Sequence, residues 1–323
     1  MGAQGGFFKP MISTIFAASW HNGLFVITGD TVRHELAEQP VRGLFADRRG
    51  ILAIVGGRQL CRRLSDGHWE LLATSDSPLS CVVTSGDMVL VGTDDAQVLH
   101  LDAAGTLQPL PGFARTEGRE RWYAGTAVID GRVIGPPLGV RSIAATCDAA
   151  AILANVHVGG IPRSTDRGAS WHPTLDIHWD VHQVCAHPAR PEVVVAASGA
   201  GVCLSLDHGA TWTASAEGLH APYCAAVAFC GDEVLVCAAK DHFATSAGLY
   251  RLAVGDPTAI QPIEMGESRW LGGIIDTQCL VSDGESVVVV DRTGLLNWSG
   301  DGGRNWHSHA QRFPMTSALL LAA

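Results

Sequence analysis

Three histidines stand where apolar, strand-like runs begin or end. His157 closes the run 151–158, His182 opens 182–187, and His242 follows 233–238. Neutral imidazoles from neighbouring elements suit a divalent metal ion, so His157, His182 and His242 form a candidate metal set. The same rings are candidate general acids or bases beside an anion held by arginine. On that reading His182 and His157 act with Tyr223 and Arg141, which open runs of their own. A third reading makes the histidines polar channel residues bonded to water and backbone. Arg42, Trp122, His178, Trp179, Arg269 and Trp270 fall at strand starts or in the adjoining connections and are candidate substrate-binding residues. Guanidinium groups fix an anion, and the rings offer apolar faces to a small molecule. No HExxH and no close His/Cys spacing adds to the metal reading.

Those residues converge only if the elements carrying them repeat around a centre, and the sequence contains such a repeat. Ser-x-Asp-x-Gly-x-x-Trp occurs at Ser164–Trp171, Ser205–Trp212 and Ser299–Trp306. Asp166 and Asp207 are 41 residues apart, and Asp207 and Asp301 are 94 apart, so one unit without the pattern lies between the second and third copies. Leu249–Leu252 supplies its third strand. Decayed copies occur at Ser65–Trp69 and Leu101–Gly105. Asp and Ser side chains bond turn N–H groups, Gly accepts a positive φ, and Trp covers the hairpin. Aligning the chain on these turns gives seven sets of short runs bounded by Gly, Asp or Pro. The expected fold is all-β: one closed β-propeller over residues 1–323, with seven four-stranded blades. First strands are expected at 13–19, 41–47, 79–85, 141–147, 182–187, 223–229 and 277–282, and second strands include 23–28. The stretch 112–139 fits no blade and reads as an insertion. The run 316–323 reads as a strand that closes the ring against the N-terminal blade.

The repeated turn resembles the Asp-box (BNR) repeat of sialidases, sortilin-type ectodomains, photosystem II assembly factors and other propellers of the WD40-YVTN-BNR-like group. The resemblance implies that the boxes lie on the turn between the third and fourth strands. It places a site on the opposite face, around the central funnel, where the enzymes of the family work. It also raises a sialidase-like glycoside hydrolase. That chemistry needs three arginines on a carboxylate, for which Arg42, Arg141 and Arg269 are candidates, and a Tyr–Glu pair, for which Tyr223 is a candidate. The early Arg-Ile-Pro motif is absent, Ile161-Pro162-Arg163 reverses it, and no glutamate pairs with Tyr223 by sequence. The boxes themselves read as structural.

Composition narrows the function classes. A net charge of −10, with no run of Lys or Arg among 22, argues against nucleic acid. No apolar run approaches the ~20 residues that span a bilayer. The first 20 residues lack a basic segment ahead of an apolar stretch, and the nine cysteines sit mostly inside strand-like runs without CxxC spacing. They read as free thiols in a reducing compartment, with the cytoplasm as the default. The expected partner is a small-molecule ligand, anionic or polar-aromatic. Converging histidines favour an enzyme of hydrolase or lyase type; the alternative is a non-catalytic ligand-binding or assembly scaffold.

Overall fold

A computed structural model describes residues 13–124, 138–266 and 268–322, plus the backbone of a hairpin formed by Ala127–Ile129 and Arg132–Ile134. The N-terminal segment 1–12 and residues 125–126, 130–131 and 135–137 of the expected 112–139 insertion lie outside the described residues. Seven antiparallel sheets of four strands form the blades of a seven-bladed β-propeller, and the sixth carries a short fifth strand, Trp270–Leu271. The strands are runs of Val, Ile, Leu and Ala buried on both faces, because each blade packs between two others. Seven apolar clusters hold the ring, one in each seam between neighbouring blades.

Blade 1 is built from both ends of the chain. Thr316–Ala322 pairs with Thr14–Ser19, which pairs with Leu24–Thr28 and then Thr31–Glu35. The C-terminal segment is therefore the inner strand. The runs expected as first and second strands, 13–19 and 23–28, are the second and third. The Ser317 hydroxyl bonds the Val41 carbonyl and ties this strand to blade 2. Of the 112–139 stretch, a short helix at Pro111–Ala114 and a turn at Arg119–Arg121 pack Phe113 and Trp122 into the seam of blades 3 and 4.

The three Ser-Asp-Gly-Trp turns follow the third strands of blades 4, 5 and 7 and share one geometry. The Ser164, Ser205 and Ser299 hydroxyls accept from Gly168, Gly209 and Gly303 N–H at 2.8, 2.9 and 2.8 Å and donate to their own aspartates. Each aspartate accepts a backbone N–H four residues on, from Ser170, Thr211 or Asn305. The glycines hold φ of 87°, 77° and 77°. A Cβ on Gly209 would also lie 2.2 Å from the Leu153 side chain of the next blade, so glycine is needed twice over. Hydrogen bonds from Ser170 hold the Asp166 carboxyl down to about 2. Burial alone would raise Asp207, but Thr211 and Ser205 bring it to about 2 as well.

These depressed values mean the turns help stability above the unfolded carboxyl range, near pH 4, and lose that help as pH falls toward 2. Asp207→Ala is expected to cost about 1–2 kcal/mol at pH 7 by leaving turn N–H groups unpaired. The gap from wild type should shrink in melts at pH 2–3. An equal gap at both pH values would assign the loss to something other than the carboxylate.

All nine cysteines are free thiols, and burial pushes Cys81 and Cys203 up to about 12. Among the described residues no helix is long and apolar enough to cross a membrane.

Candidate functional site at the funnel mouth

Inner strands of blades 1 to 6 carry register shifts near their starts, and those of blades 3 to 6 are one-residue bulges. In these four the register shifts at Leu79/Cys81, Val140/Ser142, Val181/Gln183 and Cys224/Ala226. The extra residues are Ser80, Arg141, His182 and Ala225. A bulge re-aims one side chain at the end of a strand, which is why bulges recur beside active sites. Here two of the four extra residues, Arg141 and His182, carry chemistry. Ser80, Arg42 and Arg141 line a cavity of about 370 Å³ at the funnel mouth, with Asp94, Asp276 and Gln278 across it. Three of its four charges are spent. Arg42 pairs with Asp94 at 2.8 Å and lies over Trp20, and Asp276 pairs with Arg292 at 3.2 Å. Arg141 makes no hydrogen bond or ion pair among the described residues, so its guanidinium is available to an anion.

Asp180 occupies the residue before the Val181–Ala186 strand, in a left-handed conformation with φ 47°. Its carboxylate lies between two buried histidines. Oδ2 is 3.4 Å from His182 Nε2, and Oδ1 is 3.9 Å from His157 Nε2. His182 is 2% exposed and His157 6%, whereas Asp180 keeps 40% of its side chain open. His182 Nδ1 donates to the Cys224 carbonyl at 2.6 Å. Nε2 therefore carries a hydrogen toward Asp180 only if the pair holds one more proton. At 3.4 Å the two lack the alignment of a hydrogen bond, and Asp180 Oδ1 and His182 Nε2 are both buried atoms without a hydrogen-bond partner. The His182 ring beside it, then the charges of His157 and Arg141, hold the Asp180 carboxyl below its usual range against the effect of burial. Burial, and then the Arg141 charge, push His157 down to about 4. Tyr223 packs on His182 at 4.5 Å between ring centroids. Burial and the Asp180 charge push its hydroxyl up to about 12, so it stays a donor at neutral pH.

Second neighbours lock this arrangement. Thr277 Oγ1 donates to the His182 carbonyl at 3.2 Å. Gln183 accepts from Gln278 N–H at 3.1 Å and donates to the Val227 carbonyl at 3.2 Å, linking blade 5 to blades 6 and 7.

The structure thus groups His157, His182, Tyr223 and Arg141 around Asp180. His242 continues a row of rings, its centroid 6.3 Å from that of Tyr223 and 3.8 Å from that of Phe243. Among the described residues no three His, Cys, Asp or Glu side chains stand close enough to hold a metal ion. His157, His182 and His242 do not form the metal set considered from sequence. Two Nε2 atoms point at Asp180, and the third ring lies beyond Tyr223. Trp122 is a core residue, packed on Phe113 and under Arg119. His178 is exposed on a 3₁₀ turn, and Trp179 packs partly into the seam of blades 4 and 5. Arg269 and Trp270 form a separate cluster at the added strand of blade 6. There Arg269 stacks on Trp270 at 4.6 Å and reaches the Tyr250 hydroxyl, which also bonds His220. Asp180 stands in the connection that enters the Val181–Ala186 strand, among the funnel residues that spacing selects, but spacing gave it no role. Its signal is its place directly before an inner strand.

No protein-family model matches the sequence, and no curated protein is similar to it. Solved structures do match. An ancestral GH74 enzyme superposes with TM-score 0.60 at 14% identity over 96% of this chain and 40% of that one. This chain therefore spans less than half of that enzyme. A computationally designed protein, Ika8, gives 0.58 at 12% identity over 98% of this chain and 92% of its own. The WD40 β-propeller domain of Doa1 gives 0.58 at 13% identity over 86% and 83%. A hydrolase, a designed chain and a WD40 domain share this architecture, so the likeness shows a seven-bladed propeller fold and leaves function to the site.

Proposed function

We propose that the funnel mouth binds a small anionic molecule and performs proton-transfer chemistry of hydrolase or lyase type. The observation that carries this is the Asp180 carboxylate held between two buried histidines beside the uncommitted Arg141 guanidinium. Arg141 binds the anionic group. The Asp180–His182 pair takes or returns a proton, since one proton more or less decides whether its contact is satisfied. Neutral His157 closes the other side of the carboxylate, and Tyr223 donates a hydrogen bond or proton. We also read the three Ser-Asp-Gly-Trp turns as Asp boxes of the BNR type, on the strength of their shared bonding. A sialidase-like reading has less support, because Arg269 is engaged with Tyr250 and Trp270, and Tyr223 neighbours histidines. A non-catalytic binding role is the second reading, favoured by the pairing of Arg42 and Asp276 with their own partners.

Calorimetric titration with glucuronate and succinate tests the anchor. Wild type is expected to bind at least one of them, and Arg141→Ala to bind it at least tenfold more weakly. Equal affinity in the variant, or no binding of either, would count against the site. With a bound acid in hand, Asp180→Asn should retain binding and lose turnover by a factor of about 10²–10⁴. Binding without turnover in wild type selects the second reading.

A further inference from the structure

The other end of the central channel holds a larger bowl that the proposed site does not use. Its volume is about 1060 Å³, and it is ringed by the turns that leave the inner strands of blades 2 to 5. Asp47, Arg48, Arg49 and Arg62 come from blade 2, Asp87 from blade 3, and Cys147 from blade 4. Both carboxylates are engaged. Asp47 accepts from Arg62 Nη2 at 2.6 Å and from Arg49 N–H at 2.7 Å, and Asp87 pairs with Arg167 at 2.6 Å. Arg48 and Arg49 are exposed and make no ion pair among the described residues. Arg62 is 7% exposed in the wall, and its Nε is a buried donor without a partner. The unpaired positive charge of this concave site comes from Arg48 and Arg49, and Arg62 adds an unsatisfied buried donor, on a chain whose net charge is −10.

We propose that this bowl is a second binding site, for a small polyanion bearing phosphate or carboxylate oxygens. Arg48 and Arg49 engage it from the rim and supply the positive charge, while Arg62, paired with Asp47, offers its unpartnered Nε in the wall. Arginine is suited to the task because its fork of donors matches the paired oxygens of either group. The anion occupies the bowl over Cys147, on the face opposite the funnel mouth.

Cys147 is the sole exposed thiol of the nine, so it reports on occupancy. Alkylation of native protein by uncharged N-ethylmaleimide would be timed in chloride, and in pyrophosphate or citrate at equal ionic strength. Wild type is expected to react at least fivefold more slowly in one or both anions. Protection by pyrophosphate alone assigns phosphate, and by citrate alone carboxylate. The Arg48→Glu/Arg49→Glu variant, checked for an unchanged melting temperature, should show less than twofold protection. Unprotected wild type would overturn the proposal, and so would equal protection in the variant. The funnel site has no part in this readout, because Arg141 is left intact and Cys147 does not line that cavity.

Discussion

Removing residues 315–323 is expected to abolish cooperative folding. Thr316–Ala322 is the inner strand of blade 1 and pairs with Thr14–Ser19 along its length. Ala318 helps fill the seam of blades 1 and 2, and Leu319 the seam of blades 7 and 1. Each buried aliphatic side chain contributes about 1.5–3 kcal/mol, against a total folding stability of about 5–15 kcal/mol. Deletion would also strip the backbone bonds from Thr14–Ser19 and open an edge onto the channel. The truncated chain should show no sharp melt by circular dichroism, and a synthetic peptide of residues 314–323 should restore one. A truncated chain melting as sharply as wild type, within a few degrees, would contradict closure by this strand.

The second large effect is expected at Trp171. It is 3% exposed, donates to the Gly168 carbonyl at 3.1 Å and meets Phe113 edge-on at 5.0 Å. Trp171→Ala should cost about 3–5 kcal/mol, because it empties a seam between blades and leaves Phe113 half-packed. Trp212 is only partly buried, so the same change there should cost less. Urea denaturation reads both. A Trp171→Ala loss below about 1 kcal/mol would mean that this ring covers the turn without holding the seam.

Blade number and order were legible because turn chemistry repeats. Serine, aspartate, glycine and tryptophan must recur at fixed offsets for the turn to form, and 41 and 94 residues between aspartates set the blade length. The strand order of blade 1 was not legible. TIFAAS and LFVIT are buried apolar runs like any inner strand, and nothing local shows that a distant segment takes the innermost place. The site was half legible. Arg141 and His182 fell at equivalent positions, and both are bulge residues. Tyr223 does not share that register: the bulge of its strand falls at Ala225, so Tyr223 corresponds to Asp180. A bulge shifts a side chain without any residue-type signature, so alignment by spacing matched Tyr223 to the wrong partner and, though it placed Asp180 at the funnel, gave it no role. Trp122 and Trp270 look alike in sequence as loop aromatics. Phe113 draws the first into a seam, and the added strand of blade 6 carries the second away from the funnel.

His157 reports the charge organisation at the funnel mouth. A ring buried beside Arg141 resists protonation, so His157 titrates near 4 in the folded protein and near 6.5 when unfolded. A base with a depressed folded value supports the fold fully above about pH 6.5, and that support is lost as pH falls toward 4, where the unfolded chain takes the proton first. The direct measurement is an NMR titration of the histidine ring signals, with His157 assigned through His157→Gln. His157 is expected to stay neutral to below pH 5, and Arg141→Ala to move its midpoint upward. A midpoint near 6.5 in wild type, unmoved by Arg141→Ala, would contradict this charge organisation.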